Sequence, residues 1–182
     1  MQYAAGSVSG GRGGRTAGLR LRPAGAADEP AILAINREGR PGVGPLVAED
    51  IGRFLEIATF FRVAEGAEGV AAYLIGLASD AAYDSEEFLW FKERHPEFLY
   101  VDQIAVAARA RGQGAASALY AELERFASAR GVPLLTLEVN LRPENRPSLG
   151  FHDHHGFTEA GRLETADGRL VSLRVKRIAP VV

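Results

Sequence analysis

The chain contains no cysteine, which removes disulfides, thiolate metal sites and cysteine nucleophiles from consideration. It also lacks an excess of either charge: 21 Lys and Arg stand against 23 Asp and Glu, for a net charge of −2. A dedicated nucleic-acid binder needs a surplus of cations to meet phosphates, so nucleic acid is not an expected partner. No apolar run approaches the roughly 18–20 residues that span a bilayer, so a membrane is not expected either. The first residues carry no apolar stretch of the kind a secretory leader has. With the missing cysteine, that fits a cytoplasmic protein. No segment repeats, and no Pro/Ser-rich linker divides the chain.

What is present is ordinary for a globular protein: 182 residues, 47% of them hydrophobic and 24% charged. That length most simply makes one domain, here 19–182, with 1–18 as a Gly-rich tail. Arg12, Arg15, Arg20 and Arg22 read either as a basic arm or as scattered charge on a segment with little apolar surface to bury.

Leu19 to Arg22 alternates like a short strand and stops at Pro23. A helix follows from Asp28, then a Gly/Pro loop over 39–45, and a second helix over 48–58. Runs 60–64 and 70–77 read as a hairpin. Residues 79–97 read as an irregular insertion with a turn or two of helix. A mostly apolar strand covers 98–107, and the clearest helical periodicity covers 112–130, with Gly131 closing it. Then come a strand at 134–140, a short helix at 148–155, and a closing hairpin at 156–163 and 170–178. This α/β (α+β) alternation predicts a mixed sheet with helices on its faces.

The strongest site signal is Ile104-Ala-Val-Ala-Ala-Arg-Ala-Arg-Gly-Gln-Gly-Ala-Ala, a strand, a tight Gly turn and a helix start. Such a turn aims unpaired N–H groups and the positive end of a helix dipole at one point, which suits a phosphate. Gly112 and Gly114 let the backbone approach an anion, and Arg111 can add a charge-assisted hydrogen bond. A P-loop is excluded because neither Lys nor a hydroxyl residue follows Gly114. A dinucleotide fingerprint would need a third Gly where Ser117 stands. The remaining pattern, Q/R-x-x-G-x-G/A, is matched by Arg111, Gly114 and Ala116, and a purely structural helix start would match it as well.

Four segments together resemble the GNAT superfamily of N-acetyltransferases over nearly all of 19–178: "LRLRPAGAADEPAI", "VDQIAVAARARGQGAASALY", "LTLEVNLRPENRPS" and "FHDHHGFTEAGR". The resemblance implies a mostly antiparallel sheet whose two central strands splay apart, with helices on both faces. It implies acetyl-CoA as donor, its pyrophosphate on Arg111, Gly112, Gln113, Gly114, Ala115 and Ala116. The backbone of Ile104, Ala105 and Val106 would pair with the pantetheine amides like an added strand. Asn145 looks like the family residue that contacts the pantetheine arm, and Asn140 stands on the same side or serves as a turn former. The resemblance also implies a homodimer.

Amide formation needs a neutral amine, a polarised thioester oxygen and a protonated leaving thiolate. A Lys-like amine with a pKa near 10.4 must lose its proton to a base or a water relay. Asp102 is the carboxylate on the strand where the family often has a Glu; it acts there as the base, or it only orients. A backbone N–H near Val106 is the candidate oxyanion donor. The family's acid, a Tyr four residues before the Gly of "GF", is replaced by His152, which can donate a ring N–H. Tyr120 and Tyr100 are the reserve acids. His152, His154 and His155 lack a carboxylate partner at metal-ligand spacing, so no metal is expected. The acidic stretch 80–87 with Trp90 and Phe91 forms either the acceptor wall or a solvated insertion whose aromatics pack on the core. The leading function is acetylation of a primary amine on a small molecule or peptide. A second reading is acetylation of a protein terminus or Lys, which would need an open peptide groove. A third is an acyl-CoA-binding sensor or interaction domain without catalysis, which turnover separates from the other two.

Overall fold

The computed structural model describes residues 18–179. The expected tail, with Arg12 and Arg15, therefore lies outside the described residues. β1 (Arg20–Pro23) leads through a short 3-10 turn into α1 (Glu29–Gly39) and α2 (Ala48–Ile57). Arg22 ties this entry together, donating two hydrogen bonds of 2.7 Å to buried Asp28 and one of 3.1 Å to Glu65. Arg20 also faces Glu65, at 3.6 Å, so these two arginines of the supposed basic arm are ion-paired.

β2 (Phe60–Gly66) and β3 (Gly69–Ala78) form the expected hairpin, then α3 (Glu86–Lys92) and β4 (Leu99–Val106) follow. The insertion is thus more regular than its composition implies. Ser85 caps α3 by accepting from the Phe88 N–H, and Phe88 and Phe91 are fully buried. α4 (Ala115–Ala129) begins three residues later than its periodicity suggests, because Gly112 and Gly114 adopt positive φ, 72° and 86°. Only glycine takes that left-handed backbone without cost, so the chain turns there before it coils. β5 (Leu134–Arg142), α5 (Arg146–His154), β6 (Thr158–Glu164) and β7 (Leu170–Arg177) complete the described chain. α5 starts at Arg146 rather than Ser148 because Asn145 is its cap, its side chain accepting from the Ser148 N–H.

The seven strands run in the order β1-β2-β3-β4-β5-β7-β6, antiparallel except for β4 against β5. Two apolar layers cover the sheet. Ile32, Ile35, Ile51 and Phe54 of α1 and α2, with Phe88 and Phe91 of α3, pack on one face. Leu119, Tyr120 and Leu123 of α4 pack on the other with Phe157, and Leu149 and Phe151 of α5 adjoin them. The mixed, mostly antiparallel sheet with helices on both faces is the predicted one.

Candidate functional site

β4 and β5 pair only at Leu99↔Leu135 and Tyr100↔Thr136, then part. β4 carries a bulge just beyond this point: its register against β3 passes from Val101↔Gly76 to Gln103↔Ile75, leaving Asp102 unopposed. A bulge bends its strand and re-aims side chains. The parted strands leave a narrow throat of about 70 Å³ between Val101–Ile104 and Leu137–Asn140, closed below by Tyr120, Ser148 and His152. On the β5 side, the edge of β4 over Ile104, Ala105 and Val106 has no neighbouring strand, while its other edge pairs with Leu74, Tyr73 and Ala72 of β3. Free edge groups of this kind accept an added strand.

The chain leaves β4 into a 3-10 turn at Ala108–Ala110, whose first N–H is held by Glu38 Oε2 at 2.6 Å. Arg111 lies back across α1, donating to Glu38 O at 3.0 Å and to Val106 O at 3.4 Å. The Gln113 side chain donates to Arg109 O at 2.8 Å. A Cβ on Gly112 would meet nothing within 4 Å, so backbone conformation rather than space asks for glycine there. Beyond Gly114 the opening amides of α4, from Ala115 and Ala116, have no partner within the helix. Within the glycine cradle 111–116, the amides of Arg111 and Gln113 thus donate inside the turn, to Ala108 O and Ala110 O at 3.4 Å, while those of Ala115 and Ala116 open the helix at the end of the throat strand.

His152 and Tyr120 meet under the throat. The His152 Nδ1–H donates to Ser148 O at 2.8 Å, which leaves Nε2 to accept from the Tyr120 hydroxyl at 2.8 Å. Both side chains are buried. Burial lowers the His152 pKa to about 4, and Arg174 adds to the effect, so the imidazole is neutral at pH 7. Burial likewise pushes Tyr120 well above the usual phenol value. His155 stacks on Tyr120 and pairs with Ser117 at 3.1 Å. Among the described residues no group of three His, Asp or Glu is placed to hold a metal.

Asn145 and Asn140 flank the β5 end. Asn145 is engaged twice, as the α5 cap and through Nδ2 to Gly42 O at 3.3 Å. That contact draws the 40–47 loop over the site. Buried Asn36 fixes the same loop, donating to Gly44 O at 2.8 Å and to Gln103 Oε1 at 3.0 Å. Asn140 Oδ1 accepts from Arg169 at 3.4 Å.

The throat opens into a larger cavity of about 480 Å³ beside α2 and the β6–β7 turn. Asp102 and Glu138 line both spaces and so mark their junction. Tyr83 donates to Asp102 at 2.5 Å, and Tyr100 donates to Glu138 at 2.6 Å. Burial raises the Asp102 pKa to about 6, with a further push from Glu87. Burial raises Glu138 to about 8, with Glu87 and Asp102 adding to it. Each then titrates within range of neutral pH, as acid–base groups at functional sites do.

Glu138 is the residue that reading the sequence missed, although it stands two positions before Asn140 and so on the same strand face. Its raised pKa has a consequence for stability. An unfolded Glu titrates near 4.3, so the stability associated with the neutral carboxyl is full below that pH and is lost as pH rises through about 8. Glu138→Gln is expected to leave the melting temperature unchanged at pH 4 and to raise it at pH 9; a lower melting temperature at both would contradict this reading.

Trp90 and Phe91 do not form the cavity wall. Phe91 is fully buried, and the Trp90 ring lies against Gly161, where a Cβ would come within 2.7 Å of it. From the acidic stretch, Glu87 does reach the cavity, with Tyr83 and Ser85 beside it.

The sequence profile of the Acetyltransferase (GNAT) family matches residues 19–157. Solved structures are similar throughout. The ribosomal-protein-alanine N-acetyltransferase from Brucella melitensis is 26% identical, with a TM-score of 0.66 over 87% of this chain and 99% of its own. Ard1 from Thermoplasma volcanium reaches a TM-score of 0.74 at 16% identity, over 89% and 99%. The ribosomal-protein-S18-alanine N-acetyltransferase from Escherichia coli gives 0.68 at 19%, over 90% and 96%.

Proposed function

The chain belongs to the GNAT acetyltransferase family, and from that premise we propose that it transfers acetyl from acetyl-CoA to a primary amine of a small molecule or peptide by direct attack. The observation that carries this reading is the continuous path from the glycine cradle, along the free edge of β4, to two carboxyls with raised pKa values beside an open cavity. The donor fits what the chain offers. An anion cradle stands at one end, an unpaired strand edge is left for amide hydrogen bonds, and a throat leads on to the acceptor space.

Bound there, acetyl-CoA supplies an activated thioester to the amine. The amides of Gly112, Gly114, Ala115 and Ala116 would hold the pyrophosphate, with Arg111 swung out from its bond to Glu38 and Gln113 in the same loop. The backbone of Ile104 to Val106 would align the pantetheine arm, an N–H near Val106 would polarise the thioester oxygen, and Asn140 and Asn145 would contact the arm from β5. For Asn145 this means exchanging its 3.3 Å bond to Gly42.

Asp102, ionised at pH 7, takes the proton from the attacking ammonium, while Glu138 stays protonated beside it. His152 does not act alone as the acid, because its Nδ1–H is committed to Ser148 and its Nε2 to Tyr120. Tyr120 lines the throat, and its hydroxyl would turn from His152 Nε2 to give its proton to the leaving thiolate. The phenolate then takes up the proton that the new amide nitrogen sheds, and neutral His152, with no proton of its own to spare, positions the hydroxyl. His152→Phe and Tyr120→Phe are each expected to lower turnover about 100-fold, the lower end of what acid–base assistance contributes. Neither should change acetyl-CoA affinity more than about twofold. Equal loss of turnover and affinity would count against the assignment.

Calorimetric titration with acetyl-CoA, with NAD and ATP as controls, followed by a thiol-release assay over an amine panel, tests the whole reading. Selective binding and amine-dependent thiol release are expected. Binding without turnover on any amine would make the protein an acyl-CoA sensor, and absence of binding would reduce the 111–116 loop to a helix start.

A further inference from the structure

Asp50, Glu87, Asp102, Glu138 and Asp167 all line the acceptor cavity. Its inner end, where it meets the throat, holds Asp102 and Glu138, whose partners are the tyrosine hydroxyls of Tyr83 and Tyr100. Pro45, Leu46, Phe54 and the Tyr83 ring supply its apolar wall. Three arginines also line it, and they are not equivalent.

Arg169 is already neutralised, pairing with Glu87 at 3.0 Å and Asp167 at 2.8 Å. Arg40 is exposed and has no ion-pair or hydrogen-bond partner among the described residues. Arg53 rests its guanidinium over the Tyr83 ring, 5.5 Å from the centroid, and donates to Ala82 O at 3.2 Å. Asp84 stands 3.8 Å away with a side chain 89% exposed. A pair so open to solvent holds little. Arg53 is also near enough to Asp102 to draw its pKa down against burial.

Of the acidic groups, Glu87 and Asp167 are taken up by Arg169, and Asp50 accepts from the Val47 N–H. A cavity meant for a polycation would not add two guanidinium groups without close acidic partners. One meant for a molecule bearing an amine and an acid would, since arginine's fork matches a carboxylate. Resting on the acetyltransfer reading above, we infer that the acceptor is an amino acid, its amine directed to Asp102 and Glu138 and its carboxylate held by Arg53 and Arg40. The apolar wall suits a hydrophobic side chain.

The test is a thiol-release assay on the full chain with acetyl-CoA and five acceptors: leucine, phenylalanine, their carboxamides, and spermidine. Leucine and phenylalanine are expected to exceed their amides in kcat/KM by about tenfold or more, as expected where a charge-assisted hydrogen bond is lost. Arg53→Gln combined with Arg40→Gln should raise KM for the free acids about tenfold and leave KM for the amides within twofold. A merely structural role for these arginines would shift both substrate types alike. Amides or spermidine acetylated as well as the acids, or an unchanged KM for the acids in the double variant, would overturn the inference while leaving acetyltransfer standing. Acetyl-CoA binding with no thiol release on any of the five, nor on a wider amine panel, would overturn the acetyltransfer reading and this inference with it.

Discussion

Gly114→Glu is expected to abolish measurable acetyl-CoA binding. Two effects follow. Gly114 sits at φ 86° as the N-cap of α4, where a side-chain-bearing residue is strained by about 1–3 kcal/mol. The new carboxylate would also stand where the cradle gathers N–H groups for a pyrophosphate, placing like charges together. The strain is shared by the free and bound protein and acts on stability, so the repulsion carries the loss of affinity. Each 1.4 kcal/mol of it is tenfold, and the loss should reach about 100-fold or more. Gly114→Ala separates the causes, because it keeps the strain without the charge: it should lower the melting temperature while costing much less affinity than the carboxylate. Circular dichroism and a melting curve on both variants establish that the fold persists. If Gly114→Glu binds acetyl-CoA as tightly as the parent, the cradle is not the cofactor site.

Asp102→Asn should lower turnover about 100- to 10000-fold at pH 7, the range over which general-base catalysis operates, with acetyl-CoA affinity kept within about twofold. The pH profile says which carboxyl is responsible. A base works only when deprotonated, so activity rises with pH through its pKa, and for Asp102 that limb falls near 6. Glu138→Gln mimics the protonated form that Glu138 holds at neutral pH, so it should cost much less at pH 7 and leave the limb near 6 in place. If instead Glu138→Gln removes turnover and the parent's limb lies near 8, the roles are reversed. Because the two carboxyls influence each other, the measured values belong to the pair rather than to either residue alone.

The fold was legible wherever periodicity and turn chemistry agreed. The α4 stripe of Leu119, Tyr120, Leu123 and Ala127 is buried as its spacing requires, and the glycine-bounded hairpins stand where they were read. The insertion was legible only in part, since seven residues of helix with two buried Phe carry too short a period to distinguish from an irregular apolar patch. In the candidate site, the Arg111–Ala116 loop was visible because its signal is local. Glu138, Arg169 and the Tyr120–His152 contact were not. Glu138 gains its meaning from a strand that parts from its neighbour, Arg169 from a turn that folds back on α3, and Tyr120 from a helix 32 positions away from its partner. Sequence spacing on one element does not encode such meetings, and the bulge at Asp102 that sets them up leaves no residue-type signature.

The two register pairs between β4 and β5 also bear on how the molecule folds. β1 to β4 come from the first 106 residues and β5 to β7 from residue 134 onward, so each half of the sheet closes through pairings local in sequence. Local pairings form early, and the distant join between the halves comes late. The two halves are joined less by strand pairing than by the apolar clusters they share, one holding Tyr73 with Leu173 and the other, on the opposite face, Leu99 with Leu135. A donor lying along the free β4 edge would then complete the sheet, so that its binding energy adds directly to the cohesion of the fold.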